Sequence, residues 1–212
     1  DLREQDAVAR RDEAHIHAGR LHRADAAEPL GVQQGQQLRH GDFAGRAIVD
    51  RLADHVLAHG LVSASLRPLA KAAGTSDRML LYYFADKSEL LAATLQRIAE
   101  RMTEAMAAQV SPEPLPLDLL RKRLAGMLFE DRFWPYMCVW IELASRAARG
   151  DPLYAPIAQA IGQGFLAWGE AQLAADSDEA RVRDAARLLV SIEGMVLVRA
   201  IGLSETVDRS LG

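Results

Sequence analysis

The chain has 212 residues, of which 50% are hydrophobic and 25% charged, with a formal net charge of −4. These values are ordinary for a globular protein with a sizeable core, and no apolar run reaches the roughly 18 residues that indicate a membrane span. The single cysteine, Cys138, excludes an internal disulfide, and the N-terminal residues lack an apolar signal segment, so we expect a cytoplasmic protein.

Residues 1–40 show no sustained apolar period, and the glutamine-rich stretch 31–37 cannot build a core. Two interpretations of this extension stay open. It is either a basic arm that reaches the minor groove of DNA, as in some helix-turn-helix proteins, or a mobile segment outside the folded protein. Its six basic side chains are matched by seven acidic ones, which counts against the arm.

The first predicted helix spans 43–59 and ends at Gly60. Its apolar residues recur at helical spacing and form one buried stripe: Ile48, Val49, Leu52, Val56 and Leu57. His55 and His59 lie four residues apart, a spacing that can hold a metal ion. Because no third ligand is near them in the sequence, we expect no metal there and a solvated pair of histidines.

Residues 65–87 read as two short helices joined by a tight turn. Ser65 is placed to cap the first helix and Pro68 fits its first turn. Gly74 suits the left-handed conformation that ends this helix, and Ser76 is placed to cap the second one. The apolar face of the first helix is formed by Leu66, Leu69, Ala70 and Ala73.

The second of these helices has two contrasting faces. Helical periodicity puts Ser76, Leu80 and Phe84 on one face, which can pack on the preceding helix. The opposite face is apolar and aromatic, which is unusual for a water-facing helix and indicates a partner. It carries Arg78, Met79, Leu81 and Tyr82. Such a free face after a three-residue turn is typical of a reader of the DNA major groove.

The charge is unevenly distributed along the chain. Residues 41–88 carry six basic and five acidic side chains, whereas residues 89–212 carry thirteen and seventeen. Because the excess of positive charge is so small, affinity for DNA would depend on a few placed cations and backbone amides rather than on a basic coat.

The run from Arg46 to Leu91 resembles, over about 45 residues, the DNA-binding domain of the TetR family of bacterial transcriptional repressors. Leu81 departs from the family pattern, which usually has Tyr there, so the base preference cannot be carried over. The matching motifs are Ala73-Gly74 at the turn, Leu80-Leu81-Tyr82-Tyr83-Phe84 on the recognition helix, and Asp86-Lys87-Ser88-Glu89-Leu90-Leu91 after it.

The resemblance implies an all-α protein with two domains. Residues 41–88 would form an N-terminal three-helix helix-turn-helix DNA-binding domain, and residues 89–212 a C-terminal helical ligand-binding and dimerisation domain. The family's function implies a ligand-responsive repressor that binds a palindromic operator as a homodimer and is released by a small molecule. No cofactor is expected.

The candidate DNA contacts fall into two groups. On the free face, Arg78 can bind a guanine edge, and Met79 and Leu81 can contact thymine methyl groups. Asp77 can accept a hydrogen bond from a cytosine amino group or merely cap the helix. Ser76, which caps the same helix, is also included among the candidate DNA-binding residues. The resemblance implies contacts to phosphates from Ser65, Arg67, Tyr82, Tyr83 and Lys87.

A longer helix is predicted to begin after Asp86 and to run to about residue 109, with Glu89 completing a capping box. The proline-rich stretch 111–116 ends it and is the clearest linker in the chain. The helix belongs to both domains, because it starts at the DNA-binding residues and ends in the second domain. Its apolar stripe is Leu90, Leu91, Leu95, Ile98 and Met102.

Two further helices are predicted over 117–130 and 131–149, the second capped by Asp131. Aromatic residues crowd into the start of the second. Core packing explains any one ring, but as a group, with the methionines, they are typical of the wall of an apolar cavity. Glu142 and Arg146 either form an exposed ion pair or orient a polar ligand group. The candidate binding residues for a small apolar or aromatic ligand are Phe129, Phe133, Trp134, Met137, Trp140, Ile141, Phe165 and Trp168.

The last two predicted helices span 152–175 and 177–203. Gly162, Gly164 and Gly169 lie in the first of them, where glycine is unfavourable, and close approach of another helix would explain them. The second has an apolar seam that one neighbour can hardly cover. The resemblance implies a homodimer through residues 152–203, and this seam supports it: Val182, Ala186, Leu189, Ile192, Val196, Ala200 and Ile201.

An enzyme is the rival class, and it would need a nucleophile with a base, a pair of carboxylates in a pocket or a metal cluster. Cys138 has no histidine near it in the sequence, and neither a glycine-rich phosphate loop nor a zinc pattern is present, so we expect no enzymatic activity. A second rival is a DNA-binding regulator without a small-molecule ligand. A packed core would favour that rival, whereas a closed cavity would favour the ligand-responsive repressor if it lay among Trp134, Met137, Trp140 and Phe165.

Overall fold

The computed structural model describes residues 42–108 and 113–212. The expectations for residues 1–40, and for the part of the linker that holds Ser111 and Pro112, lie outside the described residues.

The described part of the chain folds into nine α-helices and one short 3-10 helix, Leu61–Ser63, which confirms the all-α prediction. A single parallel bridge between Leu115 and Leu173 is its only extended pairing. The helices are α1 (Asp42–His59), α2 (Leu66–Ala73), α3 (Asp77–Tyr83), α4 (Lys87–Ala107), α5 (Leu117–Leu128), α6 (Trp134–Ala148), α7 (Tyr154–Gln172), α8 (Asp178–Ala200) and α9 (Ser204–Leu211).

Residues 42–83, which form α1–α3 and the 3-10 helix between α1 and α2, are called the head below and follow the local signals of the sequence. Gly74 ends α2 in the left-handed conformation at φ 69°, which costs a residue without a Cβ little. Ser76 caps α3 by accepting a hydrogen bond from Met79 N at 3.3 Å. Ser65 occupies the cap position of α2, but its hydroxyl makes no capping hydrogen bond, so only the position was predicted correctly.

Helix α4 begins as the sequence predicts. Asp86 accepts a hydrogen bond from Glu89 N at 2.9 Å, and the Glu89 carboxylate in turn accepts from Ala85 N at 2.5 Å. The reciprocal pair therefore resembles a capping box, with the second bond displaced by one residue.

Two apolar cores organise the described residues. The first is formed by the head and α4, and it also receives Val139 and Leu143 from α6 and Tyr154 from α7. The second lies among α5, α6, α8 and α9 and receives Met106 from α4. Helices α4 and α6 contribute residues to both cores. A displacement of either helix would therefore change its packing against the head.

Two predicted boundaries are wrong, and one helix was not predicted. Asp131 does not cap α6, which begins at Trp134 with Phe133 in the cap position; Pro135 fits the first turn because it has no N–H to leave unpaired. The last predicted helix ends early, at Ala200, where Gly202 takes φ 88°. The chain then forms α9, which the sequence analysis missed and which buries Val207.

Candidate functional site

The third helix presents the face that the sequence predicted for DNA. Leu80 is fully buried and Phe84 nearly so, which fixes the rotation of α3 against the head. Tyr82 is 60% exposed and Met79 42%. The free residues form one exposed patch, made of Arg78, Met79, Leu81 and Tyr82.

The residues predicted to contact phosphates differ in their exposure to solvent. Ser65 and Arg67 are exposed at the start of α2, and Lys87 is exposed at the start of α4. Asp77 and Ser76 are also exposed. Tyr83 is half-buried, its ring meets Tyr82 edge to face at 5.6 Å, and it packs against the first core.

One residue that supports the head was missed by the sequence analysis. Arg51 on α1 donates from Nη1 to the carbonyl oxygen of Ala73 at 2.8 Å. This bond satisfies a carbonyl group at the end of α2, where the helix itself offers no donor. Local sequence patterns could not predict this bond, because the two residues are 22 positions apart.

Four charged side chains join α1 to α4, and we call them the charged clamp. Asp50 accepts from Arg97 Nε and from Arg101 Nη2, each at 2.7 Å, and Asp54 accepts from Arg101 Nη1 at 2.6 Å. The hydrogen bond from Arg97 lowers the pKa of Asp50 below its usual value, although burial opposes that shift. The head and the middle of α4 are therefore held together by ion pairs as well as by the first core.

The aromatic residues predicted to bind a ligand pack mainly against one another and against the cores. Phe133 and Met137 are buried. The Trp140 indole donates to Glu193 at 2.7 Å, and burial raises the pKa of that carboxyl. The guanidinium of Arg199 lies about 5 Å from the ring centres of Phe129 and Trp134. The remaining three, Ile141, Phe165 and Trp168, pack partly buried against the second core.

A cleft of about 240 Å³ opens at the second core, away from the centre of this aromatic group. Of the eight predicted ligand-binding residues, all within the described part of the chain, Trp168 lines the cleft and the other seven do not. The buried residues of its lining are apolar, whereas its charged residues Arg123 and Glu130 are exposed. The lining is Met106, Leu115, Leu120, Arg123, Leu124, Gly126, Met127, Glu130, Trp168 and Gln172.

Glu142 and Arg146 do not form an ion pair, which was one of the two alternatives predicted for them. The Glu142 carboxylate accepts from the backbone N–H of Leu61 at 2.8 Å. Arg146 instead lies over the ring of Tyr154, 5.1 Å from its centre. Glu142 thus connects α6 to the head, a role that spacing along one helix could not reveal.

The histidine pair differs from expectation in its burial. His55 is half-buried and stacks on His59 with ring centres 4.5 Å apart, and burial lowers the pKa of His55. Among residues 42–108 and 113–212, His, Cys, Asp and Glu side chains nowhere gather in a group of three that could hold a metal ion. Within the same ranges, each helix is too short or too polar to cross a membrane.

The last long helix, α8, is apolar on two sides. Its inner side buries residues such as Ala185, Leu188 and Ile192 in the second core. Gly169 of α7 lies against this side, where an added Cβ would be 3.5 Å from Leu188, which supports the close approach expected at this glycine. At Gly162 an added Cβ would meet no atom within 4 Å, so the chain itself shows no close approach there. The predicted seam divides between the two sides. On its outer side α8 exposes Val182, Ala186, Val190, Leu197 and Ala200, and Ile201, which follows the helix directly, is also exposed.

Comparison with known proteins supports the DNA-binding interpretation of the head. Residues 51–94 match the family described as bacterial regulatory proteins, tetR family. No protein of curated function matches the sequence.

Solved structures resemble the chain over most of its length. A transcriptional regulator from Rhodococcus sp. Rha1 is 23% identical and covers 79% of this chain and 91% of its own, with a TM-score of 0.62. The multidrug binding protein EbrR, solved with proflavin, is 26% identical with coverages of 79% and 97% and a TM-score of 0.56. The fatty acid degradation regulator FadR from Bacillus halodurans is 20% identical with coverages of 82% and 94% and a TM-score of 0.51.

Proposed function

We propose that this chain, a transcriptional regulator of the tetR family, is a repressor that binds a palindromic operator as a homodimer and is released from it by a small molecule. The observation that carries DNA binding is the free face of α3, where Arg78, Met79, Leu81 and Tyr82 form one exposed patch. A cation beside apolar side chains suits the guanine edges and thymine methyl groups of the major groove.

The outer side of α8 supports dimerisation. Val190 is 72% exposed and Ile201 65% exposed, and apolar residues in such a row are typical of a covered surface. Two copies related by a twofold axis would bury this surface symmetrically. The two recognition helices would then meet successive major grooves about 34–36 Å apart, one turn of B-DNA.

The cleft at the second core supports the response to a ligand. Met106, near the end of α4, forms part of its lining, while Arg97 and Arg101, in the middle and second half of the same helix, are joined to the head by the charged clamp. A ligand that favours a tilted position of α4 would change the separation of the two heads and lower operator affinity. The proflavin complex of EbrR shows that a structural neighbour binds a small aromatic molecule.

A second candidate is a DNA-binding regulator that takes no small-molecule ligand. The packing around Trp134, Met137, Trp140 and Phe165 favours it, because the cleft does not lie among these residues. In both candidate functions the head binds DNA. They differ in whether a small-molecule ligand controls that binding.

DNA binding is tested by selection from a random pool of duplexes with the full chain. We expect enrichment of an inverted repeat whose half-site centres are about 10 base pairs apart, or a multiple of one helical turn. The control is the double variant Arg78→Ala, Tyr82→Ala, which keeps the buried face of α3 and should enrich no inverted repeat. A pool that stays random with the wild-type protein would refute the proposed function.

Ligand binding in the cleft is tested at Gly126. A Cβ at this position would meet no atom within 4 Å, so Gly126→Ala is expected to leave most of the cleft open, whereas the larger side chain of Gly126→Leu is expected to obstruct part of it. In a thermal-shift screen of small apolar and aromatic compounds including proflavin, a ligand at a hundred times its Kd stabilises the native state by about 2.7 kcal/mol. We expect such shifts for the wild type and Gly126→Ala but not for Gly126→Leu.

If no compound shifts the wild-type protein, the ligand-free candidate is favoured instead. Equal shifts for Gly126→Leu and the wild type would place the binding site outside the cleft.

A further inference from the structure

One hydrogen bond joins the head directly to α6. The backbone N–H of Leu61, just after the end of α1, donates to Oε2 of Glu142 at 2.8 Å, in a partly buried position 81 residues away along the chain. We call this bond the latch. A charged acceptor makes it stronger than a bond between neutral groups.

The conformation of Gly60 keeps the latch accessible. Gly60 takes φ 74°, a region that favours glycine. An added Cβ at this position would overlap Oε1 of Glu142. Gly60 therefore does more than end α1, because it also leaves the space that the Glu142 carboxylate occupies.

The latch and the charged clamp hold α1 at two different places. The clamp fixes Asp50 and Asp54, in the middle of α1, to Arg97 and Arg101 on α4. The latch fixes the end of α1 to α6. Because the clamp makes the head follow α4, a tilt of α4 relative to α6 pulls on the latch.

We propose that Glu142 is a positioning residue for DNA binding, whose carboxylate holds the head in one orientation relative to α6 through the amide of Leu61. The inference rests on the proposed DNA-binding function and names the contact that a shift of α4 has to break. With the latch open, only packing in the first core still holds the head against α6, so each head samples a wider range of orientations. Two heads then reach the operator spacing less often, which lowers the apparent affinity.

The test compares three variants of the full chain, Glu142→Ala, Glu142→Gln and Asp131→Ala. The glutamine variant keeps an acceptor oxygen at the same distance along the side chain. Asp131→Ala removes an exposed carboxylate just before α6 and controls for the change in charge. Hydrogen exchange of the Leu61 amide and affinity for the duplex selected by the wild type are measured for each.

Glu142→Ala is expected to speed exchange at Leu61 and to weaken duplex binding, each by about tenfold, the ratio that one lost hydrogen bond of about 1.4 kcal/mol produces. Glu142→Gln should stay within about threefold of the wild type in both measurements because a neutral acceptor retains part of the bond. Asp131→Ala should change neither.

Unchanged exchange at Leu61 in Glu142→Ala would overturn the latch. Faster exchange with wild-type duplex affinity would overturn its role in DNA binding, as would equal losses in the alanine and glutamine variants. A wild-type protein that selects no duplex would overturn the proposed function and this assignment with it, which separates that failure from a failure of the latch itself.

The pair Gly60 and Glu142 offers a second measurement if Glu142→Ala alone folds poorly. Gly60→Ala introduces both backbone strain and the overlap with Glu142, so it should lower the melting temperature. Adding Glu142→Ala removes the overlap and should recover part of the loss, whereas simple addition of the two losses would contradict the contact.

Discussion

Val190→Asp is expected to convert the protein into a monomer and to lower its affinity for the selected duplex by roughly a hundredfold or more, the factor by which two linked sites exceed one. Val190 is 72% exposed on the outer side of α8, so the substitution leaves the packing within one chain intact. In a symmetric dimer the change occurs twice, and each new carboxylate would be buried without a partner.

Sedimentation at micromolar concentration measures the first effect and a binding isotherm the second. Val62 provides the matched control, because it is 83% exposed on the 3-10 helix of the head. Val62→Asp adds the same charge to an equally accessible valine and should remain a dimer. A Val190→Asp protein that sediments as a dimer would show that the outer side of α8 is not the interface, and the proposed operator geometry would fail with it.

The head was predictable from the sequence because its signals are local. Gly74 and Ser76 each act within a few residues of their own position, through a left-handed turn and a capping hydrogen bond. The same holds for Asp86, whose carboxylate accepts from the amide three residues later. Such contacts depend only on the residues nearby, so spacing along the chain is enough to infer them.

In the second half of the chain, important contacts join residues that are far apart in the sequence, and the side-chain contacts predicted there were less accurate. Glu142 and Arg146 have the spacing of a helical ion pair, but a backbone donor 81 residues away takes the carboxylate instead. Helical periodicity likewise identified Trp134, Met137 and Trp140 as apolar neighbours. It could not tell the wall of a cavity from a packed core, because both place apolar side chains on the same face.

The second prediction with a large effect is that Arg78 and Lys87 contribute differently to DNA binding, Arg78 by contacting a base and Lys87 by contacting a phosphate. Arg78 is exposed on the free face of α3, where a guanidinium can bind a guanine through two hydrogen bonds. Arg78→Ala is therefore expected to lose about 1–3 kcal/mol at one base pair in each half-site and to relax the preference there. Since the operator has two half-sites, the loss counts twice in the dimer.

Lys87 should behave differently, because it lies at the start of α4 rather than on the face of α3. Its side chain is exposed, and the first-turn amides of a helix favour an anion at the same place. Two of the nearby amides, Glu89 N and Ala85 N, already donate to side-chain carboxylates, so the ammonium has to supply most of the attraction. Lys87→Ala should weaken binding to every duplex by a similar factor and reduce the salt slope by about one per half-site.

Binding isotherms for each variant against operator variants at several salt concentrations distinguish the two roles. Arg149→Ala removes an exposed cation just after the end of α6, far in sequence from α3, and should alter neither base preference nor salt slope. The base-specific effect expected for Arg78→Ala depends on the orientation of α3, because burial of Leu80 and Phe84 leaves Arg78 on the opposite face. If Lys87→Ala changed the base preference while Arg78→Ala weakened all duplexes equally, the face of α3 assigned to the groove would be the wrong one.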